Sequence, residues 1–251
     1  MTWKDFCKKY VYVHKCGGCG EILSPSRSDG AFCEKCELEW RAELNVGCSD
    51  CFLPIRECGC MPKSMSRAGG LTLRKLFFYR ADTPYTASMS MIYWIKHRKS
   101  KRMVRFICDA LSVPALEEMR ALGGDVGSEN FLITYVPRGK RSYREHGFDQ
   151  SRLVAKGLSQ MLGIGFSDVF YTRLAGKQQK ELDNRARMRN ARESIRMKNT
   201  SLVKGKYILL FDDIVTSGAS MAVCVQQLIK AGARGVVCLC MASRPSNKVK
   251  K

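Results

Sequence analysis

No long apolar run opens this chain: Met1 to Lys15 carries a charge or an aromatic ring every few residues. Neither a secretory leader nor a membrane span is therefore expected, and a cytoplasmic location is. In a reducing compartment the thirteen cysteines are expected as thiols and not as disulfides. Acidic residues are the second shortage, with 23 Asp/Glu against 43 Lys/Arg for a net charge of +20. The imbalance is local. Residues 1–70 hold ten Lys/Arg and nine Asp/Glu, whereas 71–251 hold 33 and 14. The basic character therefore belongs to the second part, where a polyanionic partner such as nucleic acid or a phosphate-rich ligand is expected; a merely solubilising surface is the alternative.

What is abundant is paired cysteine. Cys16-x2-Cys19, Cys33-x2-Cys36, Cys48-x2-Cys51 and Cys58-x-Cys60 supply eight thiolates. A C-x2-C loop wraps one side of a tetrahedral ion and a second pair closes the other, so two closed structural zinc sites are expected. Sequential pairing is the simplest arrangement; a nested one, with Cys16/Cys19 joining Cys58/Cys60, stays open. Metal-loaded, residues 1–70 would carry about −3, which suits a folding or interaction module more than a nucleic-acid grip. Cys7, Cys108, Cys224, Cys238 and Cys240 lack paired neighbours; most fall in apolar runs, and they read as buried small hydrophobes. Pro62 to Gly70, rich in Ser, Gly and Lys/Arg, reads as a linker.

Further on, Leu71 to Tyr79 reads as a strand and Ser88 to Leu111 as one helix. Its polar face carries Lys96, Arg98, Lys99, Lys101, Arg102 and Arg105 without an acid. Phe131 to Pro137 is a buried-type strand feeding the basic loop Arg138-Gly139-Lys140-Arg141, a loop suited to pyrophosphate. Val154, Leu158, Met161 and Leu162 mark a helix. Residues 173–206 are polar and basic and read as a long mobile loop, either functional or disordered. Val236 to Met241 is another buried strand.

The most informative stretch is Tyr207 to Ser220. Five apolar residues (207–211) read as a strand buried on both faces, ended by Asp212 and Asp213. The small turn Thr216-Ser217-Gly218-Ala219-Ser220 then opens a helix patterned on Met221, Cys224, Val225, Leu228 and Ile229. Backbone N–H groups at a helix N-terminus, with hydroxyls beside them, favour a phosphate. The two acids would face a neighbouring diol or a metal held by it. A phosphate with hydroxyls one sugar-width away is a ribose 5-phosphate.

The stretch resembles the signature of the type I phosphoribosyltransferases for phosphoribosyl pyrophosphate (PRPP): a hydrophobic strand, two acids and T-x-G-x-[ST]. The whole chain resembles the ComF (ComFC) family through its paired cysteines, Val136-Pro137, Gly147-Phe148-Asp149-Gln150, and Gln179, Leu182, Arg187 and Asn190 ahead of the signature. It departs from that family at His146, at Asp149, and at Ser217 and Ser220. The resemblance implies an α/β fold with a mostly parallel sheet (residues 71–251) behind a small double zinc ribbon (1–70). It implies PRPP with Mg²⁺ at Asp212, Asp213 and 216–220, pyrophosphate at 138–141, and a role in natural transformation. Single-stranded DNA, a competence helicase and recombination proteins would be the partners. Lys96, Arg98, Lys99, Arg185, Arg187, Arg189 and Arg192 are the DNA-contact candidates. The rival expectation is a Mg²⁺-dependent phosphoribosyltransferase, for which no residue set plainly reads an acceptor base.

Overall fold

A computed structural model of the chain describes residues 14–80, 86–98, 100–138, 147–173 and 184–245. The apolar runs become strands: β1 (Gly70–Phe78), β2 (Phe131–Tyr135), β3 (Gly165–Phe166), β6 (Tyr207–Val215) and β7 (Gly235–Ser243). They form one five-stranded sheet in the order β1-β7-β6-β2-β3, with every neighbouring pair parallel. A parallel sheet needs cover on both faces, and β7 is buried at all nine positions. Two further strands, β4 (Phe170–Thr172) and β5 (Ile195–Met197), pair antiparallel beside it.

Strand alternation sorts the core into two layers. Leu209, Phe211, Leu239 and Met241 face one side. There they meet α3 (Ala87–His97), α4 (Lys101–Ala121) and α5 (Gln150–Leu162). Ile208, Leu210, Cys238 and Cys240 face the other, against α7 (Ala219–Lys230). Cys108, Cys224, Cys238 and Cys240 are buried as expected, and Cys7 lies outside the described residues. Of the residues that marked two helices, Met161 and Ile229 are exposed, lying at the edge of their apolar stripes.

The cysteine-rich part is joined to this core. Phe32 and Trp40, the latter in α1 (Glu34–Leu44), pack edge-on around Phe106, and Trp40 also meets Phe77 of β1. Arg102 of α4 donates to the carbonyls of Lys15 and Gly30. The expected linker at 62–70 is instead the short helix α2 (Lys63–Arg67). Its Met65 is fully buried against Leu73 and the α7 layer, so one apolar side chain outweighs a polar, linker-like composition.

Three other expectations are corrected. The single helix over 88–111 is two, because Arg98 leaves helical geometry and the Ser100 hydroxyl accepts from Met103 N–H to start α4. The segment 173–206 contains α6 (Asn184–Ser194), β5 and a 3-10 turn (Thr200–Leu202). And β6 does not stop at the acids: it runs through both to Val215, paired with β7 to its end.

Candidate functional site

β6 continues through both acids, but its strict alternation is lost there: Phe211 and Ile214 pack in one layer and Val215 in the other. The two carboxyls remain neighbours, each acting on the other. Asp213 pairs with Arg138, and Lys96 Nζ lies 3.9 Å away. Asp212 is half-buried, and its carboxyl is held well above the usual range by burial first and by the charge of Asp213 second. Asp149 caps α5 through Arg152 N–H and also accepts from Arg138 N–H. Burial pushes its carboxyl up, against those two bonds.

Beyond Asp212 the chain turns through Thr216 and Ser217 to Gly218, whose φ of 70° starts α7 without any side-chain cap. Its position requires glycine twice over: the left-handed backbone, and Met65 Sδ lying 2.9 Å from where a Cβ would sit. Ser64 of α2 donates to the Ser217 carbonyl at 3.1 Å. Over the uncapped helix start lies a pocket of about 220 Å³ lined by Asp212, Thr216 to Met221, and Arg187 and Asn190 of α6. The Gln227 amide bonds the Ile195 carbonyl, tying α7 to β5 and so to the end of α6. Such a pocket offers N–H donors, hydroxyls, a guanidinium and one carboxylate to a phosphorylated sugar.

Of the basic residues singled out, Arg98 lays its guanidinium 4.5 Å from the Trp94 ring centre. Arg185, Arg189 and Arg192 are exposed on α6, whereas Arg187 of the same helix lines the pocket. Lys99, Gly139, Lys140, Arg141, His146, Gln179 and Leu182 lie outside the described residues. Sequence reasoning missed the α2 contacts entirely. Asn190 entered only through the family motif, and Arg187 through that motif and as a DNA-contact candidate, neither with an assigned place in the pocket.

The cysteines form two sets in sequential pairing. Cys16, Cys19, Cys33 and Cys36 make one and Cys48, Cys51, Cys58 and Cys60 the other, with the sulfurs of each set within 4.8 Å of one another. A tetrahedral ion with Zn–S bonds of about 2.3 Å needs sulfurs about 3.8 Å apart, and Cys19 and Cys33 already stand at 3.8 Å. Backbone N–H groups of Gly18 and Cys33 point at the Cys16 sulfur at 3.3 and 3.2 Å. Burial pushes the Cys16 thiol up, but N–H groups from Cys33, Cys19 and Gly18 outweigh it and bring it to about 7. Both donor sets fit structural zinc, with no position left for a reacting water. Lys75, 2% exposed, donates to the carbonyls of Cys58 and Cys60 and fastens the second set to β1.

Comparison with known proteins agrees with this arrangement. A phosphoribosyl transferase domain model matches residues 149–251. The DNA utilization protein YhgH of Escherichia coli K12 is 26% identical over 244 residues, 96% of this chain and 96% of that protein. YhgH of Salmonella typhimurium is 29% identical over 160 residues, 62% of this chain and 68% of that protein. Adenine phosphoribosyltransferase from Leishmania tarentolae aligns over 66% of this chain and 79% of its own, at 15% identity and a TM-score of 0.35. Paired-cysteine modules thus stand ahead of a phosphoribosyl transferase domain, and the chain is similar to YhgH along nearly its whole length, in line with the resemblance to the ComF family.

Proposed function

We propose that this is a DNA-utilization protein whose phosphoribosyl transferase domain binds PRPP and whose basic surface binds single-stranded DNA. The observation that carries the PRPP part is the pocket over the uncapped start of α7, where Arg187 and Asn190 meet the 216–220 turn. The 5-phosphate would rest on the turn's N–H groups and hydroxyls, and Arg187 would add a charge-assisted donor. Asp212 is the residue that would face the ribose hydroxyls and their Mg²⁺; the ion would supply positive charge against the diphosphate. Asp213 is already neutralised by Arg138, so its part would be to hold that arginine at the end of β2.

The DNA part is supported by the names of the relatives and by the excess of 33 Lys/Arg over 14 Asp/Glu beyond residue 70. Arg185, Arg189 and Arg192 stand exposed on one helix and can neutralise backbone phosphates.

Two titrations test the reading. Calorimetry with PRPP and Mg²⁺ should show binding that falls at least tenfold in Arg187→Ala/Asn190→Ala; equal affinity removes the pocket from consideration. Anisotropy of a labelled oligonucleotide should show affinity falling with salt at a log–log slope of about −0.7 per phosphate contacted. That binding should weaken strongly in Arg185→Glu/Arg189→Glu/Arg192→Glu. A variant matching wild type would mean these charges serve solubility alone.

A further inference from the structure

On the far side of the phosphate turn lies a second, larger cleft of about 520 Å³, against about 220 Å³ for the first. It is bounded by the second cysteine set, by α2, and by the carboxyl ends of β1, β6 and β7. Thr216 and Ser217 line both cavities, so the hydroxyl turn forms a wall between them. The size falls in the range of about 300–1,000 Å³ common to small-molecule sites.

Two kinds of surface meet there. Lys63, Arg67 and Arg244 line the cleft and are exposed. None of the three takes part in the ion pairs found among the described residues. Lys75, which also lines it, is different: its ammonium is spent on the Cys58, Cys60 and Leu73 carbonyls. The other surface is apolar. Met61, Pro62, Phe78, Met188 and Pro245 line the cleft, each half-buried, so part of each side chain stays open to it. Free cations beside an open aromatic and apolar floor suit a ligand that is anionic at one end and flat and apolar at the other. Asp50 also lines the cleft and offsets part of this charge, so a purely apolar ligand would still leave net positive charge uncompensated, and an inorganic anion would leave the floor unused.

We infer that this cleft is a nucleotide-unit site distinct from the ribose-phosphate pocket. The base lies on the floor that includes Phe78, and the phosphate is held by Lys63, Arg67 and Arg244. Stacking on a ring tolerates any base, so recognition is of the unit and not of a sequence. The unit comes either from a free nucleoside monophosphate or from one residue of a single-stranded chain, both presenting the same chemistry. The inference stands without PRPP binding, because none of these four residues lines the first pocket.

The test uses the zinc-loaded full chain and calorimetry with dAMP, a thymidine dodecamer and inorganic phosphate. Variants are Arg67→Glu/Arg244→Glu on the rim, Phe78→Leu on the floor, and Arg187→Ala in the other pocket. At least one of dAMP and the dodecamer should bind wild type. Binding should fall at least tenfold in the rim variant and several-fold in Phe78→Leu, and stay unchanged in Arg187→Ala. PRPP should show the reverse pattern, so loss of PRPP binding alone leaves the nucleotide site standing. Binding of dAMP that the rim and floor variants weaken assigns the site to free nucleotides; dodecamer binding assigns it to a chain only if those same variants weaken it, since the α6 arginines are themselves expected to hold DNA. It is overturned if neither ligand binds at millimolar concentration, if inorganic phosphate binds as tightly as they do, or if the rim variant binds like wild type. The rim residues are exposed, so an unchanged melting point in that variant will show that the fold is intact.

Discussion

Replacing Gly218 by alanine tests the seat of the phosphate turn directly. Its φ of 70° lies in the left-handed region, which costs an L-residue about 1–2 kcal/mol. The added Cβ would stand 2.9 Å from Met65 Sδ, 3.0 Å from Met65 Cγ and 3.1 Å from Pro62 Cβ. Met65 has no exposed surface, so its sulfur cannot swing into solvent, and overpacking of this kind adds about 1–3 kcal/mol. Gly218→Ala should therefore cost about 2–5 kcal/mol. At about 2–4 °C per kcal/mol for a chain of this size, the melting temperature of the zinc-loaded protein should drop by at least about 4 °C. Combining it with Met65→Ala relieves the crowding but not the backbone strain, so the two changes should be coupled by more than about 0.5 kcal/mol. Calorimetric melting of the two single variants and the double variant measures both quantities. A Gly218→Ala protein melting within a degree of wild type would refute the strain argument, and strict additivity would refute the packing part.

Asp212→Asn should melt higher than wild type at pH 7, because it removes a carboxylate disfavoured by burial and by Asp213. The sign with pH follows. A folded pKa raised above the unfolded value of about 3.9 gives stability that is complete below about 3.9 and lost as pH rises through the folded value. The advantage of Asn should therefore shrink on acidification from neutral pH, and a pH-independent difference would refute it. Metal analysis should find about two zinc ions per chain, as two sets of four thiolates require. Because Phe32 and Trp40 share the core with Phe77, Cys16→Ser should lower one cooperative melting transition; a second transition left at the wild-type temperature would contradict the shared core. Arg74, 8% exposed, bonds Glu117, Glu118 and the Arg56 carbonyl. Arg74→Ala should destabilise by about 1.5–3 kcal/mol or more, and a loss under about 0.5 kcal/mol by urea denaturation would show those bonds to be dispensable.

Much of this architecture could be read in the chain itself where burial is two-sided. The apolar runs at 131–135, 207–211 and 236–241 became β2, β6 and β7 because a covered parallel strand leaves no polar positions to blur the run. The paired cysteines were legible for a similar reason, since tetrahedral ligation imposes its spacing on the sequence. What was hidden depended on single residues. A continuous apolar stripe concealed the break before Ser100. Met65 is one buried side chain in a polar nonamer, and α6 buries only Ala191 among its described side chains, so neither helix announces itself. The run of β6 past both acids to Val215 was hidden as well, since strand ends are where pattern reading is weakest.

The edge position of β1 has a consequence for how the chain is made. Its sheet partner is β7, which begins at Gly235, so β1 leaves the ribosome long before that partner exists. At about 5–20 residues per second the wait is roughly 8–30 s, ample time for an apolar strand to pair with another nascent chain. During that wait the second cysteine loop is already available: Leu73 N–H donates to the Gly59 carbonyl, and Lys75 reaches the Cys58 and Cys60 carbonyls. Early metal capture would thus act as a chaperone in cis, holding the first strand until the last one arrives. Zinc starvation should show first as aggregation of newly synthesised protein, before any loss from molecules already folded.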